Sequence, residues 1–207
     1  MTNGPTVFVV DDDPDLCEAV RWLLEADGLA VETYTAAGDF LDAYTPDRPG
    51  VLVLDVRMHG MGGLDLQEHL IDQGFHIPVL ILTGHGDVPM AVRSMKAGAV
   101  DFLQKPASDQ VLLDRIRTAI RLDARNRQQR LRKDAIMARM ANVTPREREV
   151  MDLVVAGTAN KQIAHELSVS EKTIEVHRKR VMKKMQVDSA VELVRAVLSI
   201  RDGRQAR

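Results

Sequence analysis

The amino-acid sequence predicts an α/β, doubly wound, five-stranded parallel sheet, joined by a long helical linker to a small all-α domain. Three observations carry that prediction. Over the first 110 residues, short β-rich runs alternate with longer stretches whose apolar residues recur at helical spacing. From Ser108 to about Met140 the chain holds neither glycine nor proline, and beyond that every segment has a helical pattern. The charge also changes sign: residues 1–110 carry 18 Asp and Glu against 6 Lys and Arg, a balance of −12. Residues 111–207 carry 12 acidic against 22 basic side chains, a balance of +10. Two modules with different electrostatic partners are implied, an acidic one suited to a cation and a basic one suited to a polyanion.

The strands are expected at 6–10 (TVFVV), 30–34 (AVETY), 51–55 (VLVLD), 77–83 (IPVLILT) and 100–104 (VDFLQ), with helices at 15–27, 36–44, 64–73 and 88–97. The third and fourth strands are continuous apolar runs, as parallel strands covered on both faces require. In the long helix of 108–140, Val111, Leu112, Ile116, Ala119 and Ile120 complete the first domain. The polar stretch 123–133 (DARNRQQRLRK) forms a solvated helical linker, and Leu131, Ile136 and Met140 offer a partner seam too short for a coiled coil. Domain boundaries are therefore expected at 1–122, 123–141 and 142–207. In the tail, Thr144, Pro145 and Glu147 form a capping box, Gly157 ends that helix, and 159–167 make a second. Ser170 caps a basic third helix and Asp188 a fourth. Two short helices and a tight turn before a basic helix make a helix-turn-helix.

Composition excludes several classes. An apolar share of 45% against 28% charged residues is that of a globular chain, and no run approaches the ~18 apolar residues of a membrane span. The opening MTNGPTVFVVDDD lacks a basic n-region, so a cytoplasmic location is expected. A single cysteine, Cys17, excludes disulfides and CxxC zinc clusters and reads as a core residue. His59, His69, His76 and His85 lack ligand spacing on one element, and residues 60–63 lack dinucleotide-fingerprint spacing.

Ligands of doubly wound sheets bind beyond the carboxyl ends of the strands. The first strand there meets Asp11, Asp12 and Asp13, and the third ends in Asp55. If those strands are neighbours, their carboxylates repel unless a hard cation joins them, and Mg²⁺ is the natural choice. Asp55 is then a plausible nucleophile, since carboxylates form aspartyl-phosphates. Thr83 ends the fourth strand and Lys105 follows the fifth, with Pro106 as a candidate cis bond that aims the lysine. Asp13 and Asp15 are better explained as helix-capping and solvated residues.

The segments VDDD, VLVLDVRM, ILTGHGD and DFLQKP, in this order and spacing, resemble the receiver domain of two-component response regulators over residues 6 to about 122. The resemblance implies a flavodoxin-like receiver in which Asp55 accepts phosphate, while Asp11, Asp12 and Asp55 hold Mg²⁺ with the backbone carbonyl of Arg57. It also makes Lys105 the phosphate-binding cation, Thr83 the switch hydroxyl and Phe102 the switching aromatic. The family usually has Met-Pro-Gly after the acceptor strand, whereas this chain has Met58, His59 and Gly60. That change frees the loop's φ and adds a titratable ring, which is expected to face solvent.

The basic third helix presents Lys172, Arg178, Lys179, Arg180, Lys183 and Lys184, a pattern suited to the DNA major groove. Lys172, Thr173, Val176, His177, Lys179 and Arg180 are the expected DNA contacts, with Val181, Met182 and Met185 in the core. The stretch from TPREREVMDL through EKTIEVHRKRVMKKM resembles a LuxR-type helix-turn-helix domain over about 142–200. Receiver and LuxR order together resemble the FixJ/NarL group, and GHGDVPMAV with EVHRKRVM leans to its FixJ-like branch. Glu175 stands where members often have Lys, so base preference does not transfer.

The resemblance implies a transcription regulator, not an enzyme. A sensor histidine kinase phosphorylates it, and dimerisation, promoter binding and contact with RNA polymerase follow. The long helix would be the lever between the modules. An aspartyl-phosphate hydrolase needs a second carboxylate two residues after the nucleophile, where this chain has Arg57, and also a cap insertion that is absent. A regulator that binds DNA regardless of phosphate is the other alternative.

Overall fold

A computed structural model describes residues 4–46, 48–84 and 86–201. His85 lies outside the described residues. The chain divides into two compact units, one ending at Asn126 and the other beginning at Arg127.

The first unit is a five-stranded parallel sheet in the order β2-β1-β3-β4-β5. Its strands are β1 (Thr6–Val10), β2 (Ala30–Tyr34), β3 (Gly50–Leu54), β4 (Val79–Thr83) and β5 (Asp101–Gln104). The helices α1 (Pro14–Ala26), α2 (Ala37–Ala43), α3 (Gly63–Asp72) and α4 (Val88–Lys96) fill the crossovers. Side-chain alternation along each strand explains the double winding. Val7, Val9, Val51, Val53, Leu80 and Leu82 pack with Cys17, Val20 and Leu24 of α1 on one face. Phe8, Val10, Leu52, Leu54 and Ile81 point the other way, onto Phe40 of α2 and Leu64, Leu66 and Leu70 of α3. The strand order places the ends of β1 and β3 side by side, as Val10 pairs with Leu54. Cys17 is a core residue, as expected, and burial pushes its thiol up to about 11.

After β5 and the loop of residues 105–108 comes one continuous helix, α5 (Asp109–Ala141). Leu112, Ile116 and Ala119 cover the α1 face of the sheet. The expected solvated linker is corrected at its first residue. Asp123 is buried, and its carboxylate accepts the Gly50 N–H at 3.0 Å, at the start of β3. A composition-based reading of 123–133 cannot register a partner 73 positions away in the chain.

In the second unit, α6 (Pro145–Val155), α7 (Asn160–Glu166), α8 (Glu171–Met185) and α9 (Ala190–Arg201) surround a core of Val150, Met151, Ile163, Ile174, Val181, Met185 and Val197. Ile136 and Met140 pack against this core, which corrects the suggested partner seam; Leu131 remains exposed. The capping box is formed, with the Thr144 hydroxyl facing the Glu147 N–H and the Glu147 carboxylate accepting the Thr144 N–H at 2.9 Å. Ser170 caps α8 as expected. The cap of α9 shifts by one residue: the Ser189 hydroxyl accepts the Glu192 N–H, and Glu192 reaches back to the Asp188 N–H. Among the described residues, no helix is long and apolar enough to cross a membrane.

Candidate functional site

At the carboxyl edge of the sheet, Asp11 follows β1 and Asp55 follows β3, both nearly inaccessible to solvent. The Asp55 N–H is held by the Val10 carbonyl at 2.9 Å, which carries the ladder one step past the strands and fixes the carboxyl. Gly63 makes the tight return possible, because a β-carbon there would sit 1.9 Å from the Asp55 carbonyl oxygen. Lys105 reaches in from the end of β5, behind a cis Lys105–Pro106 bond. Its Nζ lies 2.5 Å from Asp11 Oδ2 and 3.0 Å from Asp55 Oδ1.

The electrostatics follow from burial and pairing. Burial raises the Asp11 pKa against the lowering hydrogen bond from Lys105. Burial also works against the Lys105 ammonium, but its bonds to Asp11 and then Asp55 outweigh that and raise its pKa. The remaining Asp55 oxygen, Oδ2, accepts the Arg57 N–H at 2.6 Å. The Arg57 main chain is thereby fixed against Asp55 through its N–H.

Asp12 has a partner of its own, His59. Its Oδ2 takes the His59 N–H at 3.1 Å and the His59 ring Nδ1 at 2.5 Å, and the His59 hydrogen bond is the main cause of its lowered pKa. The His59 ring is fully exposed, as expected, yet it is also paired. Among the described residues no three His, Cys, Asp or Glu side chains converge as a ready metal cage. The donor set nevertheless suits a hard divalent ion. Asp11, Asp12 and Asp55 offer only oxygen donors, the hard-ligand set that a small divalent cation takes. The adjoining cleft of about 430 Å³ is bordered by Asp12, Arg57, His59 and Asp65.

Thr83, fully buried at the end of β4, and Phe102, half-buried on β5, border one space beside Gly86. A β-carbon on Gly86 would lie 2.7 Å from the Phe102 ring and 3.4 Å from the Thr83 methyl. Asp13 caps α1, accepting the Asp15 and Leu16 N–H groups, as the sequence predicts.

In the second unit, Ile174, Val181 and Met185 turn α8 inward and leave Lys172, Glu175, Val176, Lys179, Arg180 and Lys183 exposed on it. Two of the six expected surface cations are corrected. Arg178 bonds Asn160 Oδ1 at 2.7 Å, locking α8 onto α7, and Lys184 pairs with buried Glu147 at 2.6 Å. Thr173 is half-buried with its hydroxyl 2.8 Å from that of Ser170. His177, three residues after Ile174, lies half-buried on the flank with Nδ1 enclosed.

Residues 7–117 match the response regulator receiver domain, and residues 141–197 match the bacterial regulatory proteins of the luxR family. This chain belongs to the response regulators. Over 198 residues it is 44% identical to the transcriptional regulatory protein FixJ of Azorhizobium caulinodans, covering 96% of this chain and 94% of that one. The response regulator TodT of Pseudomonas putida is 41% identical over 200 residues, 97% of this chain and 88% of TodT. Among solved structures, the response regulator StyR superposes with a TM-score of 0.84 at 46% identity, over 94% of this chain and 98% of StyR. Full-length FixJ from B. japonicum matches with a TM-score of 0.59 at 43% identity, over 97% of this chain and 98% of that one. The response regulator is thus of the FixJ-like branch: a flavodoxin-like receiver and a LuxR-type DNA-binding domain that together make a phosphorylation-dependent transcription regulator. What sequence reasoning missed in this response regulator is the His59–Asp12 pair. The departure from Met-Pro-Gly was its one visible signal.

Proposed function

We propose that Asp55 is the phospho-acceptor, and that Asp11, Asp12 and Asp55, with the Arg57 carbonyl, hold Mg²⁺ during the transfer. The single observation that supports this most is Lys105 Nζ lying between Asp11 and Asp55 at the carboxyl edge of the sheet. One Asp55 carboxylate oxygen attacks the phosphorus of a kinase phosphohistidine. The P–N bond breaks, its electrons return to the imidazole, and an acyl phosphate forms. Bound Mg²⁺ supplies charge neutralisation for the phosphoryl oxygens. Lys105 holds the acceptor oxygen before transfer and a phosphoryl oxygen after it. The acceptor does not turn over as an enzyme's would; the product is the switched protein itself.

Thr83 then bonds the phosphoryl group and Phe102 repacks, altering the face made by α4 and β5. The altered face favours a homodimer. The modules are residues 1–122, the linker 123–141 and 142–207, and the break between compact units falls inside that linker. Lys172, Thr173, Val176, His177, Lys179 and Arg180 contact promoter DNA, with the dimer reading half-sites one turn apart, about 34 Å. RNA polymerase is the downstream partner and the cytoplasm the place of action. Incubation with a labelled small phosphodonor and Mg²⁺ tests the acceptor. Asp55→Asn should take up no label, and label at wild-type stoichiometry would refute the assignment.

A further inference from the structure

We propose that His59 latches Asp12 and so weakens the site's hold on its divalent cation, making position 59 a determinant of cation affinity. The inference rests on the reading that Asp12 is a cation ligand. Both partners of Asp12 Oδ2 come from one residue: the main-chain N–H at 3.1 Å and the ring Nδ1 at 2.5 Å. The other two carboxylates are held differently. Asp11 and Asp55 share Lys105 Nζ, at 2.5 and 3.0 Å. Asp12 is the carboxylate on the open side, bordering the same cleft as Arg57, His59 and Asp65.

A small hard cation needs a lone pair at about 2.0–2.1 Å in near-octahedral geometry. Oδ2 already faces two protein groups, so an ion that takes this oxygen competes with the ring, and in part with the loop, for its lone pairs. Magnesium is a poor partner for imidazole, so the displaced ring gains nothing from the ion it admits. His59 has no other ring partner among the described residues, and its side chain is fully exposed, so swinging away costs the bond and little else. Proline at this position, the usual family residue, has neither the N–H nor the ring and leaves the oxygen free. His59 is therefore a positioning residue that acts through Asp12.

The test is calorimetric titration of the unphosphorylated full chain with MgCl₂ at one pH, for wild type, His59→Asn, His59→Ala and His59→Pro. The Asn amide N–H stands near the position of Nδ1 and should restore wild-type affinity. Ala, keeping only the main-chain donor, should bind Mg²⁺ about three- to tenfold tighter, the worth of one net hydrogen bond. Pro should bind at least as tightly as Ala. Recovery of wild-type affinity by Asn but not by Ala is the signature that a purely structural role would not produce. Equal affinities across the series, or Asn behaving as Ala, would overturn the latch. If none of the four chains takes up Mg²⁺, the cation reading itself falls and the latch falls with it.

Discussion

Glu147 offers the sharpest quantitative test of how the DNA-binding unit is held together. Its carboxylate is almost wholly enclosed, and one oxygen accepts from Lys184 Nζ at 2.6 Å, the Thr144 N–H at 2.9 Å and the Thr144 hydroxyl at 3.0 Å. The Lys184 bond first, then the Thr144 backbone donor, pull its pKa from 4.5 to about 2. At about 1.4 kcal/mol per unit that shift corresponds to roughly 3 kcal/mol of preference for the charged folded state. Lys184 is about one-third exposed (32%), so solvent screening reduces the usable share to about 1–2 kcal/mol. Glu147→Gln keeps the volume and an acceptor for the Thr144 N–H but removes the charge. The variant should therefore lose about 1–2 kcal/mol at pH 7. A lowered carboxyl pKa stabilises above the unfolded value and ceases to do so as pH falls through the folded one. The gap between wild type and Gln should hold above pH 4.5, then close toward pH 2. Hydrogen exchange of amides in α6 and α8 of the full chain reads the local stability. Fluorescence of Trp22, the single tryptophan and a residue of α1, monitors the first unit as an internal control. Equal protection at pH 7, or a gap unchanged from pH 7 to 3, would refute the reasoning.

Three further outcomes are expected. Gly86→Ala places a methyl 2.7 Å from the Phe102 ring, so the ring must move; label uptake at Asp55 should persist while the phosphodonor-induced gain in DNA affinity shrinks, and an unchanged gain in gel-shift titrations would count against coupling through this space. Ser168, in the turn before α8, has a φ of +53°, a left-handed conformation that disfavours a β-carbon. Ser168→Gly should raise the stability of the second unit by about 0.5 kcal/mol in urea unfolding followed by circular dichroism, and a loss would be contrary. Val176→Ala with Lys179→Ala should weaken operator binding, spare phosphorylation and lower the salt dependence by about one counterion; binding unchanged across salt would move the DNA face elsewhere.

Much was legible in the linear pattern because it obeys local rules. Alternating and continuous apolar runs placed all five strands to within about two residues, and capping residues placed α1, α6 and α8. The strand-end residues Asp11, Asp55, Thr83 and Lys105 were visible because a parallel sheet delivers its loops to one edge whatever the loops contain. Tertiary contact alone decided the rest. Asp123 belongs to the first unit because it meets the Gly50 N–H, and Ile136 and Met140 belong to the second because its core receives them. Arg178 and Lys184 leave the basic face for Asn160 and Glu147, and Asp12 takes His59 as its partner. A charge in a sequence has a sign but no address. Where a long or short polar side chain ends depends on which unmatched group folding brings within about 3 Å, and that distance is set by packing between segments far apart in the chain.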